Sequence, residues 1–119
     1  LGMSTVTILT RIKKLEQEKI VKGYTAIIDH QKLGYDLTAI IKVFTKKGKM
    51  VEIEQEIASL ENVCAVYDVT GESDTVIVAK FKNRDDLSKF IKTLSSKPNV
   101  DKTVTNVVLN TVKEDFRLV

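Results

Sequence analysis

The sequence predicts an α+β chain, a βαββαβ sandwich led by one amphipathic helix and a strand-like connector. Three observations carry that prediction. The order strand–helix–strand occurs twice in succession from residue 36 onward. Apolar residues in that stretch switch between a two-residue and a three-to-four-residue period, as strands and helices require. Glycine and proline fall at the joints between these segments, Gly23 excepted.

The elements follow in order. Residues 4–15 place Ile8, Ile12 and Leu15 on one helical face, flanked by Arg11, with Ser4 as N-cap and Gly2 in the turn behind it. Residues 20–29 (IVKGYTAIID) read as a strand with a glycine in it, and 30–36 (HQKLGYD) as a hinge. DLTAIIKVFT (36–45) has a strand's length and β-branched content. KMVEIEQEIASL (49–60) spaces Val51, Ile53, Ile57 and Leu60 as a helix does. VCAVYDVT (63–70) and DTVIVAKFK (74–82) are strands joined by the tight turn Gly71-Glu72-Ser73. RDDLSKFIKTLSS (84–96) aligns Leu87, Phe90, Ile91 and Leu94, and Pro98-Asn99 ends it. VDKTVTNVVLNTV (100–112) is a final long strand.

Two such units joined by a hairpin make the split βαβ, or ferredoxin-like, sandwich, with both helices on one face of an antiparallel sheet. The other face then lacks cover. In 36–45, Leu37, Ala39, Ile41 and Val43 alternate with Thr38, Ile40, Lys42 and Phe44, so both faces carry apolar side chains. An open apolar face of that width is normally an interface, and a dimer packed sheet against sheet is expected.

Composition bounds the chemistry. The chain has 119 residues, 43% of them apolar and 29% charged, enough for one folded domain with a short appendage. No apolar run spans a bilayer and no secretory signal pattern is present, so a soluble, cytoplasmic protein is expected. The single cysteine, Cys64, lies in VCAV and reads as a buried structural thiol. With one cysteine and one histidine, His30, neither a metal centre nor a histidine-based catalytic triad is expected. An acylphosphatase would need a glycine-rich loop with an arginine after the first strand, where Thr45-Lys46-Lys47-Gly48-Lys49 has neither feature. An RNA-binding sheet would show more aromatics than Phe44, Tyr67 and Phe81. No nucleophile–base pair or Walker loop is found, so no enzyme, catalytic residue or cofactor is expected.

The net charge of +3 is local. Residues 1–24 hold five basic side chains (Arg11, Lys13, Lys14, Lys19, Lys22) against Glu16 and Glu18, and the remainder balances. A helix with hydroxyls and lysines outward and isoleucines inward suits a helix-turn-helix reader, though periodicity alone favours an ordinary surface helix. The string itself adds more. Leu1-Gly2-Met3-Ser4-x-x-Thr7-Ile8-x-x-Arg11-Ile12-Lys13-Lys14-Leu15-Glu16 resembles the end of the winged helix-turn-helix in leucine-responsive regulatory protein/AsnC (feast/famine) transcription regulators. Ile20-Val21-x-Gly23-Tyr24-x-Ala26-x-Ile28-Asp29 resembles that family's wing and hinge strand, and Leu33-Gly34 the approach to its effector domain. Val69-Thr70-Gly71-x-x-Asp74 resembles a turn of that domain, and Val100-x-x-Thr103-x-Thr105-x-x-Val108-Leu109 its last strand.

The resemblance implies three parts: the end of a winged helix-turn-helix domain at 1–24, a hinge strand and linker at 25–35, and an effector-binding and oligomerisation domain at 36–119. It also implies that two more helices precede this one in family members, so that the recognition helix here is a remnant. Ser4, Thr5, Thr7 and Thr10 are the candidates for DNA contact, and Arg11, Lys13 and Lys14 for the charge term. Arg11 borders the apolar face and can instead pair with Glu18 or with an acid in the preceding helices that the resemblance implies. Duplex DNA, a dimer assembling into a ring-like tetramer of dimers (an octamer), and an amino acid effector are the implied partners. Effector contacts are expected at Thr70, Gly71, Glu72, Ser73 and Asp74, with Thr103 and Thr105 across a subunit boundary. From the residues alone, Thr-Gly-x-x-Asp reads first as a turn in which Asp74 caps loop amides, and only the resemblance brings the effector reading level with it. A stand-alone amino-acid-binding module without DNA binding is the alternative function.

Overall fold

A computed structural model describes residues 4–46, 50–73 and 75–118 of the chain. Helix α1 spans Thr5–Gln17, strand β1 Leu37–Thr45, helix α2 Met50–Ala58, strand β2 Val63–Asp68, strand β3 Thr75–Phe81, helix α3 Arg84–Ser95 and strand β4 Val100–Val107. The strands form one sheet in the order β2-β3-β1-β4, every neighbouring pair antiparallel. This is the split βαβ sandwich that the periodicity predicts.

Local chemistry starts and stops the helices. Ser4 is extended, and its hydroxyl accepts the Thr7 N–H at 3.2 Å, so α1 begins at the next residue. Lys19 ends it in the left-handed region, φ 61°, letting the Ile20 and Val21 N–H groups reach the Leu15 carbonyl. Asn83 caps α3 by accepting the Asp86 N–H at 2.9 Å, with Asp85 and Asp86 in the first turn and Lys92 in the last, where the helix dipole favours each sign.

The core lies between the sheet and the pair α2 and α3. Ala39, Ile41 and Val43 of β1 and Ile77, Ala79 and Phe81 of β3 meet Ile53 and Ile57 of α2 and Leu87 and Leu94 of α3. Phe81 and Phe90 pack edge to face at 5.2 Å. Burying each of the larger of these side chains stabilises the fold by about 1.5–3 kcal/mol. On the opposite sheet face, Thr38, Ile40, Lys42 and Phe44 alternate with the buried set, beside Val76 and Val78 of β3.

Three expectations are corrected. The connector 21–29 joins no ladder among the described residues. The last strand stops at Val107 instead of 112, because Ala39 pairs with Val107 and Thr38 accepts the Val108 N–H, after which β1 has little strand left to pair with. Cys64 is exposed instead of buried, because a bulge between Val63 and Ala65 breaks the alternation of β2 at that residue.

Candidate functional site

A cavity of roughly 370 Å³ opens at the end of the uncovered sheet face, against the turn that joins β2 to β3. The sheet supplies Lys42 and Phe44 from β1 and Val76 from β3, while the turn supplies Val69, Thr70, Glu72 and Ser73. Register explains the grouping: Lys42 lies opposite Val76, which lies opposite Tyr67 of β2, so one cross-strand row points at the turn. Gly71 makes the turn possible with φ 111°, a conformation that L side chains rarely adopt. Ser73 is buried and Glu72 exposed. Lys102 of β4 stands over the Phe44 ring at 4.5 Å from its centroid, which adds a second cation beside the cavity's aromatic wall. The cavity therefore combines an apolar wall, cationic Lys42, anionic Glu72 and hydroxyls.

Thr70, Gly71, Glu72 and Ser73 thus share one turn. Asp74 lies outside the described residues. Thr103 and Thr105 are not brought to the cavity within one chain. They pair with Val43 and Ile41, so they point toward the helix layer, and Thr103 Oγ1 meets Ser95 Oγ of α3 at 3.5 Å. Their strand and β2 are opposite edges of the sheet. Lys42, Phe44, Val69 and Val76 are the cavity residues absent from the sequence candidates; alternation in β1 puts Lys42 and Phe44 on the open face, but only register shows which end of it meets the turn.

A second cavity of roughly 320 Å³ lies between the segment 28–36 and the residues after β4. Its one cation, Lys80, is already engaged, with Glu114 at 3.2 Å and the Thr38 hydroxyl at 3.1 Å. A ligand anion there would have to displace an internal carboxylate, so the turn cavity is the better candidate.

Helix α1 carries the other group of candidates. All of Ser4, Thr5, Thr7, Thr10, Arg11, Lys13 and Lys14 are exposed, and no residue of the helix is buried. Ser4 and Thr7 hydroxyls meet at 2.8 Å, and the Thr10 hydroxyl donates to the Val6 carbonyl at 2.9 Å. The first turn holds no acidic side chain, so its amide end is open to an anion. Arg11 makes no ion pair among the described residues. Glu16 instead accepts from the Tyr24 hydroxyl at 2.5 Å, which ties the connector to the helix and raises the phenol's pKa.

Among the described residues no cluster of three histidine, cysteine, aspartate or glutamate side chains could hold a metal ion, and no helix is long and apolar enough to cross a membrane.

Comparison with known proteins places the chain in a family. The profile of the Lrp/AsnC ligand binding domain matches residues 38–118. An uncharacterised HTH-type transcriptional regulator of Pyrococcus abyssi is 48% identical over 118 residues, covering 99% of this chain and 80% of the relative. The HTH-type transcriptional regulator FL11 of Pyrococcus horikoshii is 38% identical over 117 residues, covering 98% of this chain and 78% of the relative. A transcriptional regulator from Neisseria meningitidis, solved as a complex with L-methionine, superposes with a TM-score of 0.87 at 27% identity, covering 97% of this chain and 77% of that one.

Proposed function

The chain belongs to the Lrp/AsnC family of transcription regulators, and on that premise we propose that it acts on duplex DNA through α1 as a dimer and answers to a free amino acid held at the β2–β3 turn. The observation that carries the reading is the turn cavity, where a cation, a carboxylate and an apolar wall meet. A zwitterion needs both charges within a few ångströms of each other. Lys42 offers a partner for its carboxylate, Glu72 one for its ammonium group, and Phe44, Val69 and Val76 a surface for its side chain. Asp74, next in sequence after Ser73, adds a second acceptor for the ammonium group. Charge-assisted bonds of this kind contribute about 1.5–3 kcal/mol each when shielded from water. After the cost of association, micromolar to millimolar affinity follows.

The apolar wall favours an apolar side chain on the ligand, and Glu72 disfavours an acidic one. The L-methionine held by the Neisseria meningitidis regulator supports that choice. Thr103 and Thr105 contribute to such a site only as residues of a second copy, so ligand binding and assembly are coupled. For DNA, the exposed hydroxyls of Ser4, Thr5, Thr7 and Thr10 meet backbone or base edges while Arg11, Lys13 and Lys14 neutralise phosphates.

Calorimetric titration with L-methionine tests the effector half. Lys42→Ala and Asp74→Ala should each weaken binding by about tenfold or more, the loss of one charge-assisted contact. Unchanged affinity in both variants would put the ligand elsewhere and leave the turn as only a turn.

A further inference from the structure

The chain after β4 runs over the uncovered sheet face at the end away from the turn cavity, where β1 begins. Val108 donates its N–H to the Thr38 carbonyl at 2.8 Å. Glu114 then reaches Lys80 of β3, whose ammonium lies 3.2 Å from one carboxylate oxygen and 3.3 Å from the other. The same ammonium donates to the Thr38 hydroxyl at 3.1 Å, Thr38 and Lys80 being cross-strand partners. Thr38 is the second residue of β1. The point where the connector enters the sheet is therefore held twice, by its carbonyl and through its hydroxyl.

Little else holds this segment. Leu109, Val112, Phe116 and Leu118 are almost wholly exposed, so apolar packing adds little beyond half-buried Val108. Asp115 pairs with Arg117 inside the segment itself. Lys80, in contrast, is a fixed post. Its N–H donates to the Asn62 carbonyl and its carbonyl accepts from the Asn62 amide, both at 2.9 Å, and its side chain is only 12% exposed. An ammonium so desolvated needs a carboxylate, and among the described residues Glu114 is the one it has. On the far wall of the adjoining cavity, Asp29 is committed to the Gln31 and Lys32 N–H groups at 3.1 and 3.3 Å. Asp36 lines that cavity too and makes no ion pair with Lys80. Within 28–36 the backbone is closed by local bonds alone: Leu33 and Tyr35 donate to the His30 carbonyl, and Gly34 to that of Gln31.

We propose that residues 108–114 are a strap, latched on Lys80 by Glu114, that clamps the start of β1 and so fixes the direction in which the connector carries α1 away from the sheet. Without Glu114, the Lys80 ammonium turns to water in the cavity and the strap keeps one backbone bond. The entry to β1 then frays, and 28–36 is left with its own local bonds. Local opening of this kind is set by few buried contacts and exposed hydrogen bonds, which is what the segment has. The clamp depends on neither the DNA reading of α1 nor the effector reading of the turn.

Hydrogen exchange of the full chain tests the clamp. In Glu114→Ala the amides of Leu33, Gly34, Tyr35 and Val108 should exchange roughly tenfold faster, while those at the centre of β1 and β3 keep the parent's rates. Asp115→Ala, which removes the neighbouring carboxylate from the same segment, should change neither set. Exchange quickened throughout the sheet would make Glu114 a general stabiliser, and exchange quickened at Val108 alone would leave 28–36 unclamped; either result overturns the proposal. Spin labels read the direction of α1. One goes on Cys64, the chain's only cysteine and exposed, and a second on Val6→Cys at an exposed position of α1. Labelled chain is diluted in unlabelled chain so that each distance belongs to one copy. The parent should give a single narrow distance distribution, and Glu114→Ala should lose it. Equal widths in the two overturn the hold on α1.

Discussion

Gly71 holds φ 111°, and a Cβ built there would meet nothing within 4 Å. Its side-chain identity is therefore a matter of backbone conformation alone, with no steric neighbour to confuse the result. Gly71→Ala should destabilise the fold by about 1–3 kcal/mol, the cost of a sparsely populated backbone region, and a shift in the urea midpoint measures it. Such a residue is legible in a sequence because glycine between two strand-like runs marks a reversal that needs positive φ. Lys42, Phe44 and Val76 were not legible as a site, since alternation assigns a face and leaves open which end of the strand meets which loop.

Elements were more legible than contacts, because periodicity is a property of a segment and needs no partner. The exceptions are segments whose fate depends on a partner. Residues 20–29 have a strand's composition but pair with no strand among the described residues, and β4 stops where β1 leaves it unpaired. The end of α1 is another case. Glycine is the residue expected in a left-handed cap, yet Lys19 occupies it at φ 61°. Lys19→Gly should stabilise the chain by about 1 kcal/mol by relieving that conformation, read as a rise in Tm. On the same helix, Lys13→Ala and Lys14→Ala should each flatten the dependence of log K for duplex DNA on log salt by about one unit, equally for every DNA sequence. A change confined to one sequence would assign the lysine to base contact instead.

The radius of gyration of the whole molecule is 18.3 Å, against about 13–14 Å for a compact domain of this length. The excess lies in α1, the connector and the residues after β4, where Ile27, Leu109 and Phe116 are largely exposed. The uncovered sheet face adds Ile40, Tyr67 and Val104, each 36–50% exposed. So much apolar surface on a single chain calls for cover, and a second copy is the cover expected: sheet against sheet, with the extended segments laid across. Light scattering at micromolar concentration should give a mass at least twice 13.4 kDa. Ile40 is the residue with which to break the assembly, because it lies between Val78 of β3 and Asn106 of β4, on the side of the sheet away from the core. Ile40→Lys should therefore halve the mass while leaving circular dichroism unchanged. In a dimer packed sheet against sheet, the substitution would place one such charge from each copy in a desolvated patch. The helix layer on the other side loses no contact, and a fall in mass with the fold intact reads the interface alone.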